Sequence, residues 1–346
     1  MKKIGFSLLN ICKIAFAYVG TVVGAGFASG QEVLRFFTVY GQKSIWAIIL
    51  SALIFIYVGK RILLLGKDID AASISDINKK IFSFISPVVT GYMVIAMVII
   101  CTAMMAGSGA LFEEYLGVDG QIGILITSFL AIIVMFFGME GILSVNTIIV
   151  PVLIIFNVII FVASFFNAGA PNVSHNAAGF IKASTGNIIK SGLSYSAFNI
   201  ILSAGVLAPM GREIKNPKIL AAGGILGGAI LGAMLLGSNY CLMINIPYIY
   251  NYEMPMLFII KKVGSIISNF YSVILWGSIF TTLIANLFTV VSIVRKKVNF
   301  PSLVIALIVL GCGYILSFLG FSDIVSIFYP ILGLIGIIFI TVIVFI

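Results

Sequence analysis

A long apolar run interrupted by glycines constrains the fold of this chain more than any other feature. The run extends from about residue 11 to residue 40, which is long enough to cross a bilayer. Gly20, Gly24, Gly26 and Gly30 interrupt it, and each glycine weakens a helix interior by about 1 kcal/mol relative to alanine. Unwound backbone persists at membrane depth only where it is buried in protein or lines a polar cavity. The pattern therefore predicts a broken helix beside a cavity.

Composition identifies the chain as an integral membrane protein. Hydrophobic residues make up 61% of the sequence and charged residues 9%, and the mean hydropathy is +1.23. A soluble protein has roughly 25% charged residues. The apolar runs are long rather than alternating, so the expected fold class is an all-α integral membrane protein. The N-terminal run lacks a cleavage site after Met-Lys-Lys, which favours a retained span over a signal peptide.

About ten transmembrane helices can be placed, and together they form a single transmembrane domain over residues 1–346. They divide into inverted repeats at about 11–166 and 187–346. Because each repeat has five spans, the two repeats have opposite orientations in the membrane. The predicted spans are 11–40, 44–65, 84–112, 121–138, 143–166, 187–210, 219–244, 265–294, 301–319 and 322–346.

Basic residues indicate how the spans are oriented. Fourteen of the 20 lysines and arginines fall on the side of the N-terminus. By the positive-inside rule, both termini are then cytoplasmic. The net charge of +9 is spread over the span ends, so it does not indicate a nucleic-acid partner. The four cysteines form no CxxC pair, and neither a disulfide framework nor a metal site is predicted from them.

The sixth span is interrupted as well. Ser191 to Asn199 is rich in serine, Gly205 follows, and the span stops at Pro209. Matched breaks at corresponding positions of two inverted repeats indicate the binding site of a secondary transporter. We therefore expect discontinuous helices 1 and 6. The alternative is that small residues only allow close helix packing, and this is our prediction for the glycines of span seven: Gly223, Gly224, Gly227, Gly228 and Gly232.

Two motifs give the chain a family resemblance. The first runs Gly20-Thr-Val-Val-Gly-Ala-Gly-Phe27 and continues Ala-Ser-Gly-Gln-Glu-Val-Leu-Arg-Phe-Phe37; the second is Ser194-Tyr-Ser-Ala-Phe-Asn199 with Pro209-Met-Gly-Arg-Glu213. They resemble the YkvI-like family of bacterial membrane proteins. The whole chain is similar to the leucine-transporter fold of the neurotransmitter:sodium symporters and the amino acid–polyamine–organocation transporters. This resemblance implies a 5+5 inverted repeat in a bacterial cytoplasmic (inner) membrane and does not identify the solute.

The break in span one is the predicted solute site. Free N–H groups at the start of its outer half carry partial positive charge and bind anions. In the fold that the chain resembles, the substrate carboxylate lies there, and span six lines the other side. Tyr195 and Phe198 have ordinary aromatic packing as an alternative. The candidate substrate-binding residues are Val23, Gly24, Ala25, Gly26, Phe27, Tyr195, Ser196, Phe198 and Asn199.

Free carbonyls on the other side of the break suit a sodium ion. The resemblance assigns this site to the carbonyls of Gly20 and Val23 and to the hydroxyls of Thr281 and Thr282. The alternative is that these hydroxyls bond back to the preceding turn. Some proton-coupled relatives have a lysine in span five, whereas residues 144–166 contain no basic residue. Sodium is therefore favoured, with a proton as the other option.

The resemblance also limits the number of ion sites. A second sodium site in the symporters uses an asparagine shortly after the Gly-x-Gly sequence. Phe27 stands at the matching position here. We therefore expect at most one sodium site.

Charged residues within spans are scarce, which makes Glu32 and Arg35 candidate functional groups. They are separated by one helical turn, so they are expected to pair as an i, i+3 couple or to form part of an outer gate. A second option for Glu32 is a role as a proton site.

These features predict a sodium-coupled secondary transporter for an amino acid or a related small carboxylated solute, working by alternating access. Its partners would be the solute and the lipid bilayer, and it would need no cofactor beyond the coupling ion. The alternative function is an amino-acid-sensing membrane receptor subunit without active transport. The chain lacks G-x-x-x-x-G-K-[ST] and H-E-x-x-H sequences, so no enzyme activity is predicted. The oligomeric state stays open.

Overall fold

The structure is a computed structural model that describes residues 2–71, 73–135, 139–167, 184–295 and 297–345. Within these ranges the chain is built from helices and contains no strand. The helices of the first half are α1 Lys2–Val22, α2 Ala25–Ser29, α3 Gln31–Phe36, α4 Ser44–Asp68, α5 Ile74–Phe82, α6 Ser86–Leu111, α7 Gly120–Met135 and α8 Met139–Asn167. Those of the second half are α9 Thr185–Glu213, α10 Pro217–Met243, α11 Pro255–Lys261, α12 Ser265–Arg295, α13 Ser302–Ser317 and α14 Phe321–Phe345.

The long apolar helices match the predicted spans. In the described parts of the chain, seven helices are long and apolar enough to cross a membrane, and three shorter apolar helices occur at Leu8–Val22, Gly120–Met135 and Ser302–Ser317. Together they occupy the ten predicted positions and confirm the all-α membrane fold. The predicted ends at residues 138 and 346 lie outside the described residues.

The first span is broken, as its glycines predict. Helix α1 ends at Val22, and Gly24 is extended, with φ −92° and ψ −168°. A second interruption follows after one turn, because Gly30 has φ +88° and separates α2 from α3. This left-handed conformation is one that glycine adopts without steric penalty. The outer half of the span is therefore two short helices rather than one.

The prediction of a discontinuous helix 6 was wrong. Helix α9 is continuous from Thr185 to Glu213 and passes through all of the predicted interruption. Two of its polar side chains bond back to the preceding turn: Ser196 Oγ donates to the Gly192 carbonyl at 2.7 Å, and Asn199 Nδ2 to the Tyr195 carbonyl at 3.1 Å. Because these groups find partners inside the helix, they do not require it to unwind.

Small residues bring α9 into backbone contact with α4. A Cβ atom at Gly66 would lie 2.3 Å from the Ala208 carbonyl oxygen, and one at Gly211 would lie 2.1 Å from that of Leu63. Any side chain at either position would force the two helices apart. The serine- and glycine-rich composition of α9 thus serves close packing, which was the alternative to a break.

The glycines of span seven also pack as predicted. Helix α10 lies against α1 and α4. A Cβ atom at Gly227 would lie 2.8 Å from the Tyr18 ring, and one at Gly228 would lie 2.6 Å from the Ile56 nitrogen. Helices α4, α9 and α10 therefore enclose the inner half of the first span.

We expect Gly66→Ala and Gly211→Ala each to destabilise the protein, because the added methyl groups meet backbone carbonyls across the α4–α9 interface. Overpacking of this kind costs about 1–3 kcal/mol. The matched control is Gly91→Ala in α6, where a Cβ atom would meet nothing within 4 Å. Thermal unfolding in detergent should show lower midpoints for the first two variants only. Equal midpoints for all three would contradict the close α4–α9 contact.

Candidate functional site at the break in helix α1

The backbone changes partners where α1 stops. The Val23 N–H still donates to the Val19 carbonyl at 2.7 Å, but the Gly24 N–H donates to the Val22 carbonyl at 2.9 Å. A continuing helix would instead use the Gly20 carbonyl as acceptor for Gly24. The Gly20 carbonyl therefore loses its regular donor, which leaves an oxygen available to a cation.

Helix α12 presents a hydroxyl to this break. A Cβ atom at Gly24 would lie 3.4 Å from Thr282 Oγ1, so this hydroxyl lies beside Gly24. The Thr281 hydroxyl donates instead to the Ser278 carbonyl of its own helix at 3.2 Å. Of the two threonines predicted to bind sodium, Thr282 faces the break, and Thr281 bonds back to the preceding turn.

On the other side of Gly24, a buried carboxyl fills the space beside Gly26. A Cβ atom at Gly26 would lie 2.0 Å from Glu32 Oε1, so a side chain there would displace the Glu32 carboxyl. The space at Gly26 that the sequence suggested for a ligand is thus occupied by a side chain of the same span. Glu32 itself is 4% exposed, and its Oε2 atom has no hydrogen-bond partner.

Aromatic residues of α9 and α14 surround this carboxyl. The Tyr195 hydroxyl lies beside Glu32 but makes no hydrogen bond of standard geometry. Its ring contacts those of Phe36 and Phe37, at centroid distances of 5.3 and 4.9 Å. Phe198 packs on Tyr329 at 4.5 Å. Tyr195 and Phe198 are thus close to the outer part of the break, whereas Ser196 and Asn199 use their donors within α9.

A small cavity lies behind the break, where Val23 and Phe27 face α8 and α12. The centre of a water molecule has about 10 Å³ of space there, which is near the minimum that one buried water needs. Asn157 and Tyr271 supply its polar groups. The Tyr271 hydroxyl donates to the Ala28 carbonyl, and Asn157 Nδ2 donates to Ser238 Oγ at 2.6 Å.

The expected ion pair between Glu32 and Arg35 is not formed. In the described parts of the chain, the ion pairs are those of Lys67 with Asp68 and of Arg212 with Asp70. Arg35 Nη2 donates to Ser322 Oγ at the start of α14, at 2.6 Å. The one-turn spacing is compatible with pairing, but the arginine reaches a distant helix instead.

Residues 244–264, which we call the covering loop, close one side of the bundle. This is the side opposite to the start of α1, and we call it the far side. Gln31 Nε2 donates to the Tyr252 carbonyl at 2.9 Å, and the Ser322 N–H donates to Glu253 Oε2 at 2.7 Å. The Glu114 carboxylate accepts the N–H groups of Glu253 and Met254 at 2.5 and 3.1 Å.

The same loop contains a partly buried carboxyl at its centre. Burial raises the pKa of Glu253, and hydrogen bonding from the Ser322 N–H opposes that shift. Through its contacts with Gln31, Glu114 and Ser322, the loop is held by α3, by the segment just after α6 and by the start of α14.

Access to the break differs between its two sides. Residues 25–34, towards the covering loop, are all buried. Gly20, Gly24 and Thr282, towards the start of α1, are partly exposed. The structure is therefore closed on the far side and more open on the side where α1 begins.

Sequence reasoning missed Tyr271, which bonds the backbone of the broken segment. Tyr271 and Thr282 are separated by 11 residues, or three helical turns, and so occupy one face of α12. That spacing is a signal that a polar face of span eight meets the first span. Tyr329 and the covering-loop contacts had no comparable signal, because their partners are far apart in sequence.

Comparison with solved structures identifies the fold. The chain is similar to the structure of MhsT in complex with L-phenylalanine, with a TM-score of 0.65 and 16% identity over 93% of this chain and 84% of that one. It is also similar to the inward-facing conformation of Mhp1 (TM-score 0.56, 11% identity, 94% and 73% coverage). A manganese transporter from Eremococcus coleocola gives 0.57 at 12% identity, with 96% and 77% coverage. The fold is thus the leucine-transporter fold of secondary transporters, with its 5+5 inverted repeat.

Sequence comparison gives the family. The membrane protein YkvI of Bacillus subtilis (strain 168) is 33% identical over 329 residues, which cover 95% of this chain and 93% of YkvI. YyaD from the same organism is 23% identical over 319 residues, with 92% and 91% coverage. The chain therefore belongs to the YkvI family. No protein-family model matches the sequence.

Removal of the Glu114 carboxylate should loosen the covering loop, because Glu114→Ala deletes the acceptor of two backbone N–H groups. Hydrogen bonds to a charged group contribute about 1.5–3 kcal/mol, so amide exchange should accelerate by roughly tenfold or more. Hydrogen–deuterium exchange of residues 252–257 measures this effect. The neighbouring, exposed Glu113 provides the control variant Glu113→Ala. Equal exchange in both variants would show that Glu114 does not anchor the loop.

Proposed function

We propose that this protein is a sodium-coupled secondary transporter for an amino acid or a related small carboxylated solute. The solute would bind at the break in α1, between α2, α9 and α12, and reach each side of the membrane alternately. Both termini would lie in the cytoplasm of a bacterium, so the far side would face outwards. No enzymatic step is part of this function.

The observation that carries the proposal is the position of the Thr282 hydroxyl beside Gly24 at the end of α1. There the Gly20 carbonyl has lost its regular donor and the Val23 carbonyl lies at the break. Two or more oxygens on one side of a broken helix form a suitable site for a small hard cation. Sodium fits these neutral oxygen ligands.

The fold supports the choice of solute. Among the similar structures, MhsT was solved in complex with L-phenylalanine, which makes an amino acid the first class to test. The free N–H groups of Ala25 and Gly26 at the start of α2 would face a carboxylate approaching the break. Because Glu32 covers Gly26, that carboxylate would bind on the Gly24 side.

Sodium entry would supply the free energy for accumulation. One positive charge crossing a 100 mV potential releases about 2.3 kcal/mol before any concentration gradient is added. At tenfold per 1.4 kcal/mol, the electrical part alone supports roughly fifty-fold accumulation. The same ion would also stabilise the break by compensating its free carbonyls.

The first test is thermal unfolding of the purified protein with an amino-acid panel, in sodium or in potassium as the only cation. A ligand that binds the folded state raises the unfolding midpoint by mass action. A shift that requires sodium identifies solute and ion together. Equal shifts in the two salts would argue against sodium coupling, and no shift would exclude the tested amino acids.

Uptake separates the transporter from its alternative, a membrane receptor subunit that senses amino acids. In proteoliposomes, a transporter accumulates the stabilising amino acid when an inward sodium gradient is applied. A sensor would bind the same ligand without accumulating it. Binding without sodium-driven uptake would therefore reject the proposed function in favour of sensing.

Thr282→Ala should raise the sodium concentration needed for half-maximal stabilisation or uptake by roughly tenfold, since one oxygen ligand of the cation is lost. The matched control is Thr289→Ala on the same helix, where the hydroxyl donates to the Ala285 carbonyl at 2.7 Å. The control should behave like the unmodified protein. If both variants keep the original sodium requirement, the assignment of Thr282 to the ion site is wrong.

A further inference from the structure

Glu32 is a buried acid that the sodium site does not use. It lies on the far-side part of the broken span, with its Oε1 atom against Gly26 and its Oε2 atom without a hydrogen-bond partner. At 4% exposure it is one of the least accessible carboxyl groups of the chain. A buried charge is costly unless it is paired and hydrogen-bonded.

No described cation neutralises this carboxyl. Arg35, one turn away, is held by Ser322, and the ion pairs of the described residues involve other acids. The titratable groups that approach Glu32 are two neutral phenols, Tyr195 from α9 and Tyr329 from α14. Helix α10 also packs against α3, and its Asn239 is bonded to Ser44 and Thr38.

The surroundings also leave little volume for a hydrated ion or a solute amine. Tyr195 has no exposed surface, and its ring is enclosed by Phe36, Phe37 and Phe55. A proton needs no cavity, and it turns the carboxylate into a neutral acid that can share a hydrogen with an adjacent hydroxyl. The Tyr195 hydroxyl, which is otherwise unpartnered, occupies that adjacent position.

The covering loop contacts the residues that precede this acid in the chain. Gln31, the residue before Glu32, holds the Tyr252 carbonyl, and Arg35 holds the start of α14. Release of these contacts would open the far side directly next to Glu32. A carboxyl in that open state would be in contact with water and able to exchange its proton.

We propose that Glu32 is a proton-binding site that holds its proton while the covering loop is closed and exchanges it with the far-side solution when the loop opens. In loading, hydronium gives its proton to a carboxylate oxygen of Glu32, an O–H bond forms, and water remains. Unloading is the reverse. The proposal rests on the alternating access of the proposed function and adds a proton to it as a second cation.

The test is infrared difference spectroscopy of the purified protein at neutral pH without any solute. Glu32→Gln should remove the carbonyl-stretch band of a protonated carboxylic acid. Glu113→Gln, which changes an exposed carboxyl, should remove only carboxylate bands. If Glu32→Gln removes carboxylate bands and leaves the acid band intact, the proposal is wrong. If this variant fails to fold, Glu32→Asp serves instead, since it should shift the acid band without removing it. An unshifted acid band in Glu32→Asp would also show that the proposal is wrong.

A second pair of variants tests the link to the covering loop. Gln31→Leu combined with Glu114→Ala removes the loop's bonds to Gln31 and to the Glu114 carboxylate, and hydrogen–deuterium exchange of residues 252–257 verifies that the loop has opened. The acid band of Glu32 should then decrease in favour of carboxylate bands. An unchanged acid band with an open loop would overturn the coupling of proton to loop. The spectra are recorded without solute, so they test the proton site independently of whether sodium-driven uptake is found.

Discussion

The structure depends on one constraint, that peptide groups at membrane depth need partners. A break in α1 removes regular helical hydrogen bonds, so the surrounding helices must enclose it. Part of the exposed backbone finds local partners, as in the bond from the Ala28 N–H to the Gly24 carbonyl. Part finds partners elsewhere, as the Ala28 carbonyl does at the Tyr271 hydroxyl. The oxygens of Gly20 and Val23, which lie at the break, form part of the proposed cation site.

The two repeats satisfy their backbone hydrogen bonds in different ways. In the first repeat the backbone itself is opened, and neighbouring helices supply hydroxyls to it. In the second repeat α9 stays helical, and Ser196, Asn199 and Ser203 bond back to their own helix. Solute contacts would therefore come from backbone on one side and from aromatic side chains, Tyr195 and Phe198, on the other. An inverted repeat of topology does not require an inverted repeat of chemistry.

Sequence patterns predicted the membrane fold and the first break, because long apolar runs and clustered glycines act locally. They could not assign each glycine its role. Gly30 adopts a left-handed conformation, Gly26 makes room for Glu32, and Gly66 allows contact with a backbone carbonyl. All three are glycines in the sequence, and their roles differ because different groups approach them in the structure. The wrong prediction for span six has the same origin. A serine-rich segment indicates a break unless the hydrogen-bond partners of its hydroxyl groups are known.

The position of Arg35 shows why charge spacing was insufficient. Its one-turn distance from Glu32 predicted an ion pair. Arg35 instead donates a hydrogen bond to Ser322, and Glu32 Oε2 has no hydrogen-bond partner. The two proposed cation sites, at Thr282 and at Glu32, thus lie on opposite sides of the same break. Thr282 is partly exposed, whereas Glu32 is buried. If the far side opened, Glu32 would gain access to water, so under the proposed function a conformational change that moves the solute would expose one proposed site as it buries the other. Coupling between ion and solute then requires no contact between the two sites, because both respond to the same movement of the broken helix.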